Sequence, residues 1–306
     1  PQTETVTIAS DPLLTKVSAA VTTPRPGHAD LSGAFKYGYT DLRNIIERAS
    51  ARETAARVGV GAFAKLLLAQ FRIEVGSFTA RIGTAGEETI CALTRAEQER
   101  VDQSPVRALN PELGTAMVHS IEEAKAVGET LGGLFVVYAT GVPPGLGSHV
   151  HWDRRLDGQL AQAVLSIPGI KGVEFGTGFN GATLVGSELH DAIHYSPEKG
   201  WERAGNQAGG IEGGMSNGQP LVLRAVMKPI PTLYQGLPSV DLKTKQPRAA
   251  GAERSDLTAV PAAGVVAEAM VAWVLASAFL EKFGGDTLPE LERAFRSYRE
   301  GLGAET

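Results

Sequence analysis

The stretch from Ala259 to Leu280 constrains the fold most, because Glu268 is its only ionisable residue. Its length would suffice to cross a bilayer. However, it is rich in alanine, carries Pro261 in its first turn and lacks a flanking excess of lysine and arginine. We therefore predict a helix over Thr258–Phe283 that is apolar on all sides and buried in a globular core, and we expect no membrane contact.

A second long helix is predicted from Ser50 to about Gln70. Ser50 and Glu53 have the spacing of a capping box. Apolar residues follow them at the spacing of one helix face. Gly59 and Gly61 interrupt this pattern, and we interpret them as positions where another backbone comes close.

Composition limits the class of protein. The chain has 306 residues, 43% of them hydrophobic, which is enough for one large domain or two. A net charge of −5 argues against general nucleic-acid binding. The lone cysteine, Cys91, excludes an internal disulfide framework and suits a cytoplasmic protein.

The other elements follow in an irregular order. Their apolar patterns predict strands over 71–82, 131–140, 172–175 and 220–226, and helices over 94–101, 111–127 and 156–166. Strands and helices that do not alternate regularly favour a layered α+β domain over a βαβ repeat.

Cationic residues stand at the entrances of both long helices. Arg48 and Arg52 flank the start of the first, and Arg254-Ser255-Asp256 directly precedes the second. Because the start of a helix attracts anions and arginine binds phosphate and carboxylate with two parallel hydrogen bonds, one shared site for a polyanionic ligand is possible. Further groups would complete it, namely Arg25, His28, Arg43 and Lys228. The alternative is a set of scattered surface ion pairs, each of little energetic value.

Three weaker patterns suggest other functions. Gly176–Gly181 matches G-x-G-x-x-G after a short strand, which would indicate a Rossmann-type oxidoreductase that binds NAD(P)H. His190 and His194 have the spacing of a helical zinc site, but no third ligand is evident, so we predict a surface helix and no metal. Cys91 has no base at a recognisable offset for nucleophilic catalysis.

Longer motifs resemble those of the chorismate synthase family. They lie in the family's order from about residue 20 to residue 290, and motifs of this length are highly specific. They are Arg25–Asp30, Glu47–Val58, Gly145–Ser148, Lys171–Gly176, Gly209–Pro220, Met227–Thr232, Arg254–Asp256 and Glu281–Asp286.

The resemblance implies a fold and an activity. The fold is a layered β-α-β sandwich with long central helices between two antiparallel sheets, assembled as a homotetramer in the cytoplasm. Residues 1–306 would form a single domain of this kind that lacks its N-terminal segment. The activity is the conversion of 5-enolpyruvylshikimate 3-phosphate to chorismate and phosphate, an anti-1,4-elimination in the shikimate pathway toward aromatic amino acids. Reduced FMN is required although the reaction has no net redox change. The resemblance leaves open whether NADPH reduces the flavin on this chain.

The resemblance also implies roles for individual residues. His28 matches the general acid, and Asp256 matches the aspartate that accepts the flavin N5 proton. The positions that bind substrate anions are matched by Arg25, Arg52 and Arg254. The positions that line the flavin are matched by Arg43, Ser50, Ala51, Lys228, Thr232 and Ser255.

One departure from the family supports a second hypothesis. Family members carry, ahead of the Arg25 motif, a region with a Gly-Glu-Ser-His-Gly run, a second active-site histidine and an arginine-rich stretch. Nothing in this sequence corresponds to that region. The alternative, of another functional class, is therefore a catalytically inactive fragment that keeps the fold and the assembly, with or without FMN binding.

Overall fold

The computed structural model describes residues 20–198, 200–251 and 256–302. These residues form two compact units, a smaller one from 20–50 and 235–251 and a larger one from 51–234 and 256–302. The helices are α1 (Asp30–Tyr37), α2 (Arg43–Arg48), α3 (Thr54–Ala69), α4 (Arg95–Gln103), α5 (Pro111–Val127), α6 (Leu156–Leu165), α7 (Gly186–Leu189), α8 (Val260–Phe283) and α9 (Leu288–Gly301). The strands are β1 (Glu74–Ile82), β2 (Ala85–Gly86), β3 (Gly133–Thr140), β4 (Ile170–Phe175), β5 (Ile193–Ser196), β6 (Gly200–Arg203), β7 (Ile211–Glu212), β8 (Met215–Ser216), β9 (Leu221–Met227), β10 (Pro238–Val240) and β11 (Pro247–Ala249).

The larger unit is organised around a five-stranded antiparallel sheet with the order β2-β1-β3-β9-β4. Successive residues of a strand point to opposite faces of a sheet. In the central strand β3, Phe135 and Val137 pack into the main apolar core, whereas Val136 and Tyr138 pack into a smaller cluster on the other face. Burial of both faces explains why the sequence of this strand is almost uniformly apolar.

Helix α8 lies on the main-core face of the sheet, as its composition predicted. Its Gly264 packs closely against the sheet. A Cβ atom placed on Gly264 would lie 3.0 Å from the hydroxyl oxygen of Ser77 in β1 and 3.8 Å from the Cβ of Phe135 in β3. Among the described helices, α8 is the one long and apolar enough to cross a membrane, but 72% of its most apolar window is buried within the fold. Burial of that kind is typical of a core helix.

Helix α3 packs directly against α8 through Gly61. A Cβ atom on Gly61 would lie 2.4 Å from the Cβ and 2.6 Å from the Cα of Ala269, so the two backbones are nearly in contact. The prediction for Gly61 is therefore confirmed. The same prediction for Gly59 is wrong, because nothing lies within 4 Å of a Cβ placed there.

Five aromatic side chains close the far end of the helix pair. Phe71 follows α3, Phe279 and Phe283 belong to α8, and Phe295 and Tyr298 belong to α9; neighbouring ring centroids lie 4.5–5.4 Å apart. Such tilted and edge-to-face contacts are favourable beyond the apolar area that they bury. They fix the C-terminal ends of α3 and α8 against α9.

The smaller unit contains α1, α2 and the β10–β11 hairpin. Ala34, Leu42 and Ile45 form its apolar centre, with Leu242 packed against them. The side chain of Asp241 accepts hydrogen bonds from the backbone N–H groups of residues 243 and 244 and from the Thr22 hydroxyl. These bonds, with the Thr22 bond as the largest cause, lower the pKa of Asp241 to about 2.

The predicted α+β class is confirmed, with long helices packed on antiparallel sheets. The other sheets in the described residues are the two-stranded pairs β5–β6, β7–β8 and β10–β11. Because every strand pairing in the five-stranded sheet is antiparallel, the fold lacks the parallel βαβ units of a dinucleotide-binding domain in the part of the chain described. The single-domain assignment for the whole chain stays a prediction.

Candidate functional site

The two long helices run in the same direction. Gly61 of α3 contacts Ala269 of α8 in the first half of both helices. Ten residues later in each segment, Phe71, just after α3, contacts Phe279 of α8. A constant offset between contacting residues is the signature of parallel neighbours. Both N-termini therefore point toward the same end of the larger unit, where their partial positive charges reinforce each other.

The entrance of α3 differs in detail from the prediction. A single 3₁₀ turn, Ala51–Glu53, precedes the α-helix, and Glu53 itself is the N-cap residue without a side-chain capping bond. The predicted capping box of Ser50 and Glu53 is therefore wrong. The physical reason is a competing partner, because Arg57 donates to both carboxylate oxygens of Glu53, at 3.0 Å and 2.7 Å.

The turn leaves two predicted site residues at the surface. Ala51 and Arg52 are both exposed at the very start of the α3 entrance. Arg52 is thus positioned to approach a ligand that binds at the positive end of the helix. Ser50 lies at the end of the smaller unit and is half-buried.

The entrance of α8 is fixed by the segment before β3. The backbone N–H of Leu131 donates to the carbonyl oxygen of Leu257 at 2.8 Å, one residue after the exposed Asp256. The predicted residues Arg254 and Ser255 lie outside the described residues. Of the motif Arg254–Asp256, the structure therefore describes Asp256 alone.

The segment that follows β9 contacts the same residues, 130–132, that hold the entrance of α8. A Cβ atom on Gly132 would come within 2.4 Å of the Met227 carbonyl oxygen, and the Thr130 hydroxyl donates to the Ile230 carbonyl oxygen at 2.6 Å. Residues 130–132 therefore hold both the entrance of α8 and the segment that carries Lys228 and Thr232. This arrangement brings Asp256, Lys228 and Thr232 into one region of the larger unit.

Lys228 and Thr232 have unusual surroundings for polar residues. Burial, followed by repulsion from Lys171, lowers the pKa of the Lys228 ammonium group. Thr232 is 6% exposed, so its hydroxyl is enclosed by protein. A partly desolvated ammonium and a buried hydroxyl are donors suited to an anionic ligand group.

In the smaller unit, Arg25 and His28 belong to one turn. The His28 backbone N–H donates to the Arg25 carbonyl oxygen at 3.3 Å, and Gly27 supplies the positive φ of 77° that the turn requires. The Arg25 guanidinium donates to the fully buried carboxylate of Asp30, with Nε at 2.8 Å. This ion pair makes Arg25 a support of the turn that presents His28.

Arg43 also has a carboxylate partner. Its Nε donates to Asp41 at 2.9 Å, and this side-chain bond is the largest cause that lowers the pKa of Asp41 to about 2. The pKa of Arg43 is raised by the same pair. The described site residues are thus divided between the units. Those in the smaller unit are Arg25, His28, Arg43 and Ser50, and those in the larger unit are Ala51, Arg52, Lys228, Thr232 and Asp256.

An ion cluster around the buried carboxylate of Glu268 was missed at the sequence level. Glu268 of α8 is a shared acceptor, reached by the Lys65 ammonium at 2.6 Å, the Ser77 hydroxyl at 2.6 Å and the Arg107 guanidinium at 2.9 Å. These four residues, here called the Glu268 cluster, tie α3 and β1 to the middle of α8. The only sequence signal was a lone glutamate in an otherwise apolar helix.

Two of the weaker patterns are explained by local structure. Gly176 faces the backbone of residues 207–209, and the Glu174 carboxylate accepts the Phe179 N–H, so this glycine run does not offer its N–H groups to a phosphate. The Rossmann alternative is therefore wrong.

The prediction that His190 and His194 share a surface helix is also wrong. His190 follows α7 as its C-cap residue and His194 lies in β5, so the helical spacing does not apply to them. Among the residues that the structure describes, no group of three or more His, Cys, Asp and Glu side chains could hold a metal ion.

Comparison with known proteins identifies the family. The family model for chorismate synthase matches residues 7–280. The chorismate synthase of Moorella thermoacetica is 58% identical over 287 residues, which cover 94% of this chain and 74% of that protein; that of Thermus thermophilus is 52% identical and covers 93% and 74%. A crystal structure of chorismate synthase matches with a TM-score of 0.77 and 46% identity, covering 90% of this chain and 76% of the other. The chain belongs to the chorismate synthase family, as its motifs indicated.

Proposed function

We propose that this protein converts 5-enolpyruvylshikimate 3-phosphate to chorismate and phosphate by a 1,4-elimination in the shikimate pathway. The observation that carries the proposal is the parallel pairing of α3 and α8, which directs two helix N-termini toward one end of the larger unit. The substrate carries one phosphate and two carboxylates, and paired helix N-termini favour such a polyanion. No observation on the molecule favours the alternative of an inactive fragment.

Arginine side chains would bind the substrate anions. Arg52 is exposed at the entrance of α3, where the helix dipole adds to its own charge. We assign Arg52, together with Arg25 and Arg254, to the phosphate and carboxylate groups. Planar guanidinium groups bind these anions with two parallel hydrogen bonds, which fixes the orientation of the substrate as well as its charge.

Reduced FMN is the proposed cofactor, and the donor chemistry near Lys228 fits it. The half-buried ammonium of Lys228 and the buried hydroxyl of Thr232 are donors of the kind that bind a flavin phosphate or ring oxygen. The residues proposed to hold the flavin are Arg43, Ser50, Ala51, Lys228, Thr232 and Ser255. When bound, reduced flavin supplies electron density transiently, with no net redox change.

Two residues would move protons during the elimination. The C–O bond to phosphate breaks and its electron pair leaves with the phosphate, while a C–H bond loses its proton. The electrons of the C–H bond form a new double bond, and the ring double bond already present shifts by one position toward the carbon that lost the phosphate. We assign His28 as the general acid, because an imidazole titrates near neutrality. We assign a carboxylate oxygen of Asp256 as the proton acceptor. The arginines stabilise the departing phosphate.

An anaerobic assay tests this proposal. With photoreduced FMN and substrate, we expect chorismate and phosphate to form in equal amounts. Asp256→Ala should lower turnover far more than it weakens substrate binding, because Asp256 acts on a proton and not on the anions. Normal turnover of this variant would remove Asp256 from the mechanism, and an unchanged rate and pH profile of His28→Ala would do the same for His28.

Assembly and location are part of the same proposal. We propose a cytoplasmic homotetramer of single-domain chains, with NADPH reduction of the flavin left to experiment. The exposed apolar side chains of α3 support an assembly, because Val60, Phe63 and Leu66 are 49%, 75% and 64% exposed on one helix face. Light scattering should give four chains per particle, and Phe63→Asp should lower that number.

A further inference from the structure

We infer that Arg57 is a positioning residue. It couples the entrance of α3, which carries the proposed substrate-binding residue Arg52, to the segment that carries the proposed flavin-binding residue Lys228. Its guanidinium bridges two elements that are distant in sequence. The inference rests on the proposed function for the roles of those two elements, and on the contacts of the Arg57 side chain for the bridge itself.

The first arm of Arg57 fixes the turn that carries Arg52. Its Nε lies 3.0 Å from one carboxylate oxygen of Glu53, and a terminal nitrogen lies 2.7 Å from the other. This two-bond pair spans the junction between the 3₁₀ turn Ala51–Glu53 and the first turn of α3. Because Arg52 directly precedes Glu53, the pair limits how far Arg52 can move.

The second arm reaches the end of α6, 109 residues away in sequence. A terminal nitrogen of Arg57 donates to the Ser166 hydroxyl at 2.7 Å, and the other donates to the Ser166 carbonyl oxygen at 3.4 Å. The Ser166 hydroxyl in turn donates to the Ala163 carbonyl oxygen at 2.6 Å. Arg57 therefore binds a loop that is itself hydrogen-bonded to its helix.

The short loop that begins at Ser166 runs beside Lys228 before it enters β4. Three residues further on, the carbonyl oxygen of Gly169 accepts the backbone N–H of Lys228 at 3.0 Å. The next residue, Ile170, pairs with Met227 in the sheet. A short, hydrogen-bonded path thus leads from Glu53 through Arg57 and residues 166–169 to the backbone of Lys228.

Only a guanidinium can serve both arms at once. Its nitrogen atoms lie in one plane and point in fixed directions, whereas the donors of a lysine ammonium radiate from a single nitrogen atom and cannot span two separated acceptors in this way. Small displacements of substrate-binding groups cost large factors in rate or affinity. We therefore expect Arg57 to affect substrate binding more than the chemical step.

The test compares Arg57→Met and Arg57→Lys with a matched control, Arg95→Met. Arg95 forms an ordinary exposed pair with Glu99 on α4, also four residues apart, at 3.2 Å. For Arg57→Met we expect a KM for 5-enolpyruvylshikimate 3-phosphate about tenfold higher and a kcat within about twofold of the starting protein. Arg57→Lys should lie between the two, and Arg95→Met should match the starting protein.

Hydrogen exchange gives a readout that does not depend on activity. Arg57→Met should speed amide exchange both in residues 51–53 and in residues 166–170, and Arg95→Met should change neither segment. If only one segment or neither responds, or if KM stays unchanged while the melting temperature falls, Arg57 is not a coupling residue. If Arg57→Met fails to fold, Arg57→Lys decides by the same criteria. Absence of turnover in the starting protein would instead refute the proposed function and leave the exchange result to decide the coupling.

Discussion

Gly61→Ala tests the contact that sets the direction and spacing of the two central helices. The added Cβ would lie 2.4 Å from the Cβ of Ala269, and 2.6 Å from its backbone Cα, which cannot rotate away. Carbon atoms prefer a separation of about 3.5–4.0 Å, so α3 and α8 must separate by about 1 Å. Gly59→Ala is the matched control, because the space around its Cβ is open within 4 Å.

The expected energies have opposite signs. Replacing glycine by alanine within a helix stabilises it by about 1 kcal/mol, and Gly59→Ala should gain close to this amount. At Gly61 the same gain is outweighed by overpacking of about 1–3 kcal/mol. We therefore expect the two variants to differ by about 2 kcal/mol in the free energy of unfolding, with Gly61→Ala the less stable.

Urea unfolding followed by circular dichroism measures this difference. For a domain of this size, each kcal/mol corresponds to a change of about 2–4 °C in Tm, so thermal unfolding provides a second check. Equal stability of Gly61→Ala and Gly59→Ala would show that α3 and α8 are not in backbone contact at Gly61. The N-termini of α3 and α8 would then not be held side by side by this contact.

Three further predictions concern charged groups. Glu268→Ala should lower the free energy of unfolding by about 2 kcal/mol in urea, because it removes the buried carboxylate that Lys65, Ser77 and Arg107 share. Glu281→Ala breaks an exposed pair and should cost under about 1 kcal/mol. Asp41, with its pKa lowered from 3.8 to about 2, should contribute stability above pH 4 that is lost as the pH falls toward 2; Asp41→Asn should flatten this part of the stability profile. Because its pKa is lowered, Lys228 should react with an amine-directed reagent faster than exposed lysines, and FMN should protect it; equal labelling with and without FMN would contradict its assignment.

Local patterns in the sequence were sufficient to predict most elements. The predicted helix over 111–127 is confirmed at both ends, because Asn110 caps its start and Gly128 supplies the left-handed residue after its end. The apolar stretch containing Glu268 gave the buried central helix. These predictions succeeded because the relevant interactions lie within one or two helical turns.

The errors arose where a distant or competing partner decides the structure. Ser50 and Glu53 have the right spacing for a capping box, but Arg57 binds the glutamate instead. The GxGxxG match failed because the backbone of residues 207–209 and the Glu174 carboxylate already occupy that turn.

The candidate site could be predicted only as a set of residues. Arg52, Lys228 and Asp256 were recognisable from their motifs, but their arrangement depends on contacts between distant segments, such as Leu131 with Leu257 and Arg57 with Ser166. The periodicity and spacing of residues within one segment do not indicate which distant segment it will contact. The structure supplied the parallel helices and the anchor at residues 130–132.

The central claim is that the shared N-terminal end of α3 and α8 binds the phosphate of the substrate through Arg52. Calorimetric titration of 5-enolpyruvylshikimate 3-phosphate into the protein and into Arg52→Gln tests it most directly. Loss of a charge-assisted pair should weaken binding by about 10- to 100-fold, and the analogue without phosphate should bind both proteins equally. An unchanged Kd for the phosphorylated substrate in Arg52→Gln would contradict the account.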